Sequence, residues 1–292
     1  MPTLRPVRLA VALVLVIATG VGVVTLTRGA TAAPKPVTAE DQALLHRAEQ
    51  RLIKQCMTTA GFQYDERPVP PERTERRFAY LIDDVAWAKV HGYDDPNPAP
   101  RSTNPNAQQA QRLPAMEARR WERTLIGDGK QISFELGDGS RISTSDKGCL
   151  ATARRTLYGD LAGWFRARRT SDGLAYIVYA KVNNDQRYAA AMKEWVACVR
   201  GRGYPADSPG RLMEVVKQRT KGQPRQAIRA AEIAGAVTEA ECATTTSVAR
   251  TARELHAEHL TWTTAENRRE FQELERLERA ALPRARAALG PS

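Results

Sequence analysis

The sequence predicts a mainly α fold, a disulfide-stapled helical bundle with one small β-hairpin at about residues 131–143. Three observations carry this reading. Apolar residues recur at three-to-four spacing along most of the chain, as in Leu44, Leu45, Ala48, Leu52 and Ile53. Strict alternation occurs convincingly only at Ile132, Phe134 and Leu136, followed by Asp138-Gly139 as a tight turn and Ile142 on the return. Four cysteines, an even number with no Cys-x-x-Cys pair, are placed for disulfides rather than for zinc.

The N-terminus carries Arg5 and Arg8, then a weakly polar to apolar run from Leu9 to Leu26, then Ala30-Thr31-Ala32. A positive start, a greasy middle and small residues at the last and third-last positions are the parts of a secretory signal peptide, with cleavage after Ala32. A retained membrane anchor is the alternative, since the apolar run approaches the length that spans a bilayer. The organisation expected is a signal peptide over 1–32, a linker over 33–37, a helical half with the hairpin over 38–170, and a helical half ending in a long C-terminal helix over 171–292. The protein is expected to be secreted or extracytoplasmic, and membrane-anchored if the segment stays on.

Thr38 with Asp41 is a capping pair for a first helix that ends at Gly61. Arg77 to Val90 reads as a second helix with Leu81 and Val85 inward, stopping at His91-Gly92-Tyr93. Asp94 to Asn106, rich in Pro, Asn and Asp, reads as an exposed loop. Leu113 to Leu125 is again helical, with Met116, Arg120, Trp121 and Leu125 on one face. Past the hairpin, Gly148-Cys149 opens a helix running through Leu157 and Tyr158 toward Trp164. Asn183 to Asp185 caps a helix to Val199, and Thr238 with Glu241 caps one long final helix from about Glu239 toward Leu282, striped by Val248, Leu255, Trp262, Phe271, Leu274 and Leu277.

Cys56, Cys149, Cys198 and Cys242 permit three pairings. Local pattern favours one. Cys56 is followed five residues later by Gly61-Phe62, and Cys198 five later by Gly203-Tyr204, each glycine standing where a helix adopts its left-handed closing residue. A second cysteine, Cys149 or Cys242, is expected at the front of a new alanine-rich helix. The economical pairing is Cys56 to Cys149 and Cys198 to Cys242.

Asp84-Val85-Ala86-Trp87-Ala88, His91-Gly92-Tyr93, Gly148-Cys149-Leu150-Ala151, Leu157-Tyr158-Gly159-Asp160 and Trp195-Val196-Ala197-Cys198 follow one another in fixed order. This ordered set resembles a group of uncharacterised exported actinobacterial proteins sharing Cys-x4-Gly-aromatic, Trp-Ala-x-x-x-Gly-Tyr, Gly-Cys-Leu and Trp-x-x-Cys blocks. The resemblance spans roughly Leu52 to Cys242 and implies an exported protein; it brings no catalytic residue with it. Many members carry a lipid-attachment cysteine, which this sequence lacks near the cleavage point.

The formal net charge of +11 raises the question of nucleic acid, but arginine supplies 35 of the 44 basic residues and is interleaved with acids, as in Glu72, Arg73, Glu75 and Arg76. Nucleic acid is therefore not the expected partner; an anionic cell-wall polymer, a membrane surface or another exported protein is. A candidate functional cluster gathers Trp87, His91 and Tyr93 with Asp94 and Asp95, where a carboxylate beside an imidazole can favour base catalysis. His256 and His259 share a helix face and are a weak metal pair without a third ligand. No Gly-x-Ser-x-Gly, Ser-x-x-Lys or phosphate-cradling loop is present, and no cofactor is expected. The function expected is non-enzymatic binding or scaffolding in the cell envelope, with an extracellular hydrolase of wall material as the alternative.

Overall fold

The computed structural model describes residues 36–70, 78–93, 104–136 and 139–290. The expected signal peptide, Asp94, Asp95 and the hairpin tip at 137–138 lie outside the described residues. Within them are eleven helices and one antiparallel hairpin.

Helix α1 (Ala39–Thr59) opens on the expected capping box: the Asp41 N–H donates to Thr38 Oγ1 and the Thr38 N–H donates to Asp41 Oδ2, each at 3.1 Å. It closes on Gly61, whose φ of +84° suits a residue without Cβ. There the Phe62 N–H bonds Met57 O and the Gly61 N–H bonds Thr58 O, the paired bonds of a Schellman ending. The next segment departs from expectation. Residues 78–84 are non-helical, and only Val85–His91 forms a helix, α2. Asp84 caps it by accepting from the Trp87 N–H at 2.9 Å. The helix starts there because Asp84 has extended backbone, φ −131° and ψ 104°, and upstream of it the Ile82 N–H is donated to the Glu239 carboxylate.

The expected loop over 94–106 ends in a helix, α3 (Pro105–Arg112), started by Asn104 as cap and Pro105 in the first turn. Asn106 is buried and exchanges two hydrogen bonds with the backbone of Asp65, which gives this polar stretch something to pack on. In α4 (Ala115–Ile126) Trp121 alone of the expected face is buried, while Met116 is exposed. Strands β1 (Gln131–Glu135) and β2 (Arg141–Ser145) pair Ile132 with Thr144 and Phe134 with Ile142.

The helix expected to run from Gly148 toward Trp164 is two. α5 (Gly148–Tyr158) stops at Gly159, and Asp160 caps α6 (Leu161–Asn183) by accepting from the Gly163 N–H at 2.9 Å. α6 spans about 35 Å and runs unbroken across residues 170 and 171, where the two halves were expected to part. Asp185 caps α7 (Gln186–Gly201), which ends as α1 does: Gly203 (φ +86°) and Tyr204 donate to Arg200 O and Val199 O. α8 is Pro209–Arg219.

The single long C-terminal helix is also corrected, to α9 (Arg225–Thr245), α10 (Val248–Glu266) and α11 (Arg268–Leu289). Thr238 sits inside α9 with its hydroxyl donated to Ala234 O, so it caps nothing. The first break is held by tertiary bonds, since the Ser247 N–H and hydroxyl both donate to Glu194. The second falls at Asn267, whose side chain amide donates to Thr263 O. Of the expected stripe, Val248, Leu255, Leu274 and Leu277 are buried and Trp262 is exposed.

One core gathers α1, α5, α6 and α11 around Leu45, Leu157, Phe165 and Ala281, with the hairpin's Ile132, Phe134 and Ile142 laid against it. Another gathers α7, α9 and α10 around Trp195, Val199, Cys242 and Leu255. α6 serves both, through Phe165 and Val182 respectively. Cys56 bonds Cys149 at the start of α5, and Cys198 bonds Cys242. Cys242 lies near the end of α9 rather than at a helix front, because that helix begins seventeen residues earlier at Arg225.

The bridges close segments of 93 and 44 residues, and on the loop-entropy model each restricts the unfolded chain by about 4 to 5 kcal/mol. Replacing both cysteines of either pair by alanine should lower the urea midpoint by a stability loss of about that size, and reductant, which opens both bridges, should lower it further. An unaltered midpoint under reductant would contradict this.

Candidate functional site

The site is built on α9, where Gly235, Ala236, Ala240 and Ala243 present almost no side chain to the segment crossing over them. Residues 78–93 form a strap across this face, burying Ile82 and Ala88 against Ala236 and Ala240. Gly235 permits the closest approach: a Cβ there would stand 2.7 Å from Val216 Cγ2 and 2.9 Å from Tyr93 Cε2. Any larger residue would push Tyr93 or α8 away.

Glu239 lies beneath the strap, 3% exposed. Its carboxylate accepts the Ile82 N–H at 2.7 Å, and its backbone oxygen accepts the Trp195 indole N–H at 3.3 Å. The Tyr93 hydroxyl is buried and faces the same carboxyl without a hydrogen bond of standard geometry. Burial strips the carboxylate of water and pushes its pKa up to about 7, with the Ile82 and Tyr93 contacts opposing the rise. Burial, with the nearby Glu239 charge, also pushes the Tyr93 hydroxyl well above the usual phenol range.

Arg229, from the first turns of α9, clamps the end of α2 by donating to His91 O and Val90 O, each at 2.8 Å. The expected cluster is therefore divided. Trp87 and His91 stack on each other, ring centroids 4.6 Å apart, and His91 Nδ1 lies 3.1 Å from Trp87 O. Tyr93 turns inward toward Glu239. Asp83 and Asp84, two turns before His91, are engaged with Arg253 and with the α2 amide of Trp87.

His256 and His259 also part company. His256 Nδ1 meets the Tyr80 hydroxyl at 2.8 Å, whereas His259 Nε2 lies 3.4 Å from Asp185 Oδ2. Among the described residues no three His, Cys, Asp or Glu side chains gather as a metal site.

Two concavities flank the strap. A cleft of about 280 Å³ lies between residues 78–83 and α10, with Phe78, Leu81, Ala249 and Ala252 as apolar walls. Arg253 and Asp83, paired with each other, form one lip, and His256 with Tyr80 the other. The Tyr80 ring stacks on the exposed Tyr179 at 5.5 Å and meets Tyr188 at 5.8 Å. Burial, then the neighbouring Tyr179, pushes the Tyr80 hydroxyl up to about 12, so it stays a neutral donor and acceptor. On the other side, a pocket of about 480 Å³ opens between Tyr93, α8 and α9.

Sequence reasoning singled out Trp87, His91 and Tyr93, of which Tyr93 lines one concavity, and passed over Glu239, Tyr80 and Gly235. A signal for Glu239 exists: its neighbours three and four residues away on α9 are Gly235, Ala236, Cys242 and Ala243, a frame of small and sulfur residues that does not suit a solvated charge. No family model, curated protein or solved structure matches the chain.

The raised pKa of Glu239 gives a pH signature. Below the ordinary value of 4.5 the carboxyl is protonated in folded and unfolded chains alike, while between 4.5 and about 7 only the unfolded chain ionises. Stability should thus fall as pH rises through that window, by up to about 3 kcal/mol. The variant Glu239→Gln should lack this component in urea unfolding measured at a series of pH values. Parallel curves for the two proteins would refute the assignment.

Proposed function

We propose that the chain is an exported binding protein without catalytic chemistry of its own, and that the aromatic cleft beside α10 receives a sugar ring of a cell-envelope polymer. The observation that carries this is the cleft's composition: Phe78 and Tyr80 in the lining, with the exposed Tyr179 stacked on Tyr80 beside it, apolar walls, and a charged Asp83–Arg253 lip. Aromatic faces suit the apolar side of a pyranose, and a carboxylate beside a guanidinium can accept from and donate to neighbouring hydroxyls.

Export is supported by the N-terminal segment and by the ordered blocks that resemble exported proteins. The two disulfides fit an oxidising, extracytoplasmic environment, where such bonds persist. No helix among the described residues is long and apolar enough to cross a membrane. A binding role is favoured over hydrolysis because the ionisable cleft residues are paired among themselves, and no serine, threonine or cysteine is among the described lining residues.

Calorimetric titration of the mature chain with soluble envelope fragments should give saturable binding without turnover. Tyr179→Ala and Arg253→Ala, both at exposed side chains, should each weaken it roughly threefold to tenfold with unchanged melting. Equal affinity in both variants would overturn the site. Hydrolysis of the fragments, abolished by Asp94→Asn or Asp95→Asn, would replace binding by the hydrolytic reading.

A further inference from the structure

We infer that the pocket between α8 and α9 is a second binding site, specific for an amphiphilic anion: a carboxylate or phosphate headgroup on an alkyl chain. It goes beyond the sugar-binding reading and shares no lining residue with the aromatic cleft.

The pocket is amphipathic in a directional way. Val216, nearly fully buried, and the half-buried Ile228 and Tyr93 supply an apolar floor, and Met213, 48% exposed, stands at the mouth with a side chain able to adapt to a flexible guest. Lys217, in the last turn of α8, and Lys221, just past its end, line the same pocket. Both are exposed, and neither has an ion pair among the described residues.

The helix end that bears them does not present bare carbonyls against an anion. Val216 O accepts both the Thr220 N–H and the Thr220 hydroxyl, and Arg219 O accepts from the Gln223 side chain. Glu232, the one carboxylate among the described lining residues, lies 4.0 Å from the Arg229 guanidinium, which compensates it. Across the pocket, α9 starts at Arg225 without a side-chain cap, one turn before Ile228, so its positive end adds to the same field. A volume of about 480 Å³ falls within the range of small-molecule sites. Lysines at the rim with an apolar floor below match a ligand that is charged at one end only. A hydrophilic anion would leave the floor unfilled, and a neutral hydrocarbon would leave the lysines unused.

The test is calorimetry of the mature chain with hexanoate, octanoate and decanoate at low salt. One-to-one binding should tighten by about fourfold for each methylene until the floor is filled. Lys217→Glu combined with Lys221→Glu, both at exposed positions, should weaken decanoate at least tenfold and leave the weaker binding of decanol unchanged. In a separate arm, phosphatidylglycerol vesicles replace decanoate. Lysine-dependent binding to vesicles identifies a lipid headgroup as the source, and binding to decanoate alone identifies a free amphiphile. Affinity independent of chain length, an unchanged double variant, or no binding in either arm would overturn the inference. Envelope-fragment binding through Tyr179 and Arg253 is read out separately, so either site can fail while the other stands.

Discussion

The carboxyl of Glu239 is the point on which the arrangement of both concavities depends. An acid buried to this degree must be hydrogen-bonded or neutral, and the chain supplies the bond from outside α9, from the Ile82 amide of the strap. That bond ties the non-helical residues 78–84 to α9, and the side chains of residues 78–83 line the aromatic cleft beside α10. The strap's far end is held by Arg229, bonded to Val90 O and His91 O, and Tyr93 there becomes a wall of the lysine-rimmed pocket.

The second disulfide reinforces this joint. Trp195 and Cys198 are three residues apart on α7, and Glu239 and Cys242 are three apart on α9, so each pair shares a helix face. The indole bonds the Glu239 carbonyl and the sulfurs bond each other. The two helices are thus joined by a covalent and a polar link one turn apart, with the strap laid across the polar one. Placing binding surfaces beside a covalently fixed pair of helices limits the ordering that a ligand must bring about.

Much of the framework was legible in residues. The Thr38–Asp41 cap, the Asp185 cap, the two glycine-aromatic helix endings, the alternating hairpin and the pairing of cysteines all rest on local chemistry that tertiary packing left in place. What was misread had tertiary causes. The breaks at Ser247 and Asn267 contain neither glycine nor proline, and the first depends on Glu194, fifty-three residues earlier. Thr238 and Glu241 have the spelling of a cap, but a cap needs free amides and α9 had already used them. The site was harder still. Tyr80 is joined by Tyr179 and His256 from α6 and α10, and Lys217 faces Ile228 and Tyr93 only because α8, α9 and the strap converge. Such juxtapositions have no local spelling.

The most direct measurement is amide hydrogen exchange across the chain in the native protein and in the variant Glu239→Ala. If the buried carboxyl holds the strap, removing it leaves the Ile82 N–H without a partner, and amides in residues 80–93 should exchange roughly tenfold faster or more, while those of α1, α5 and α11 keep their protection. Unchanged exchange in the strap, or an equal loss in every helix, would contradict the role given to Glu239.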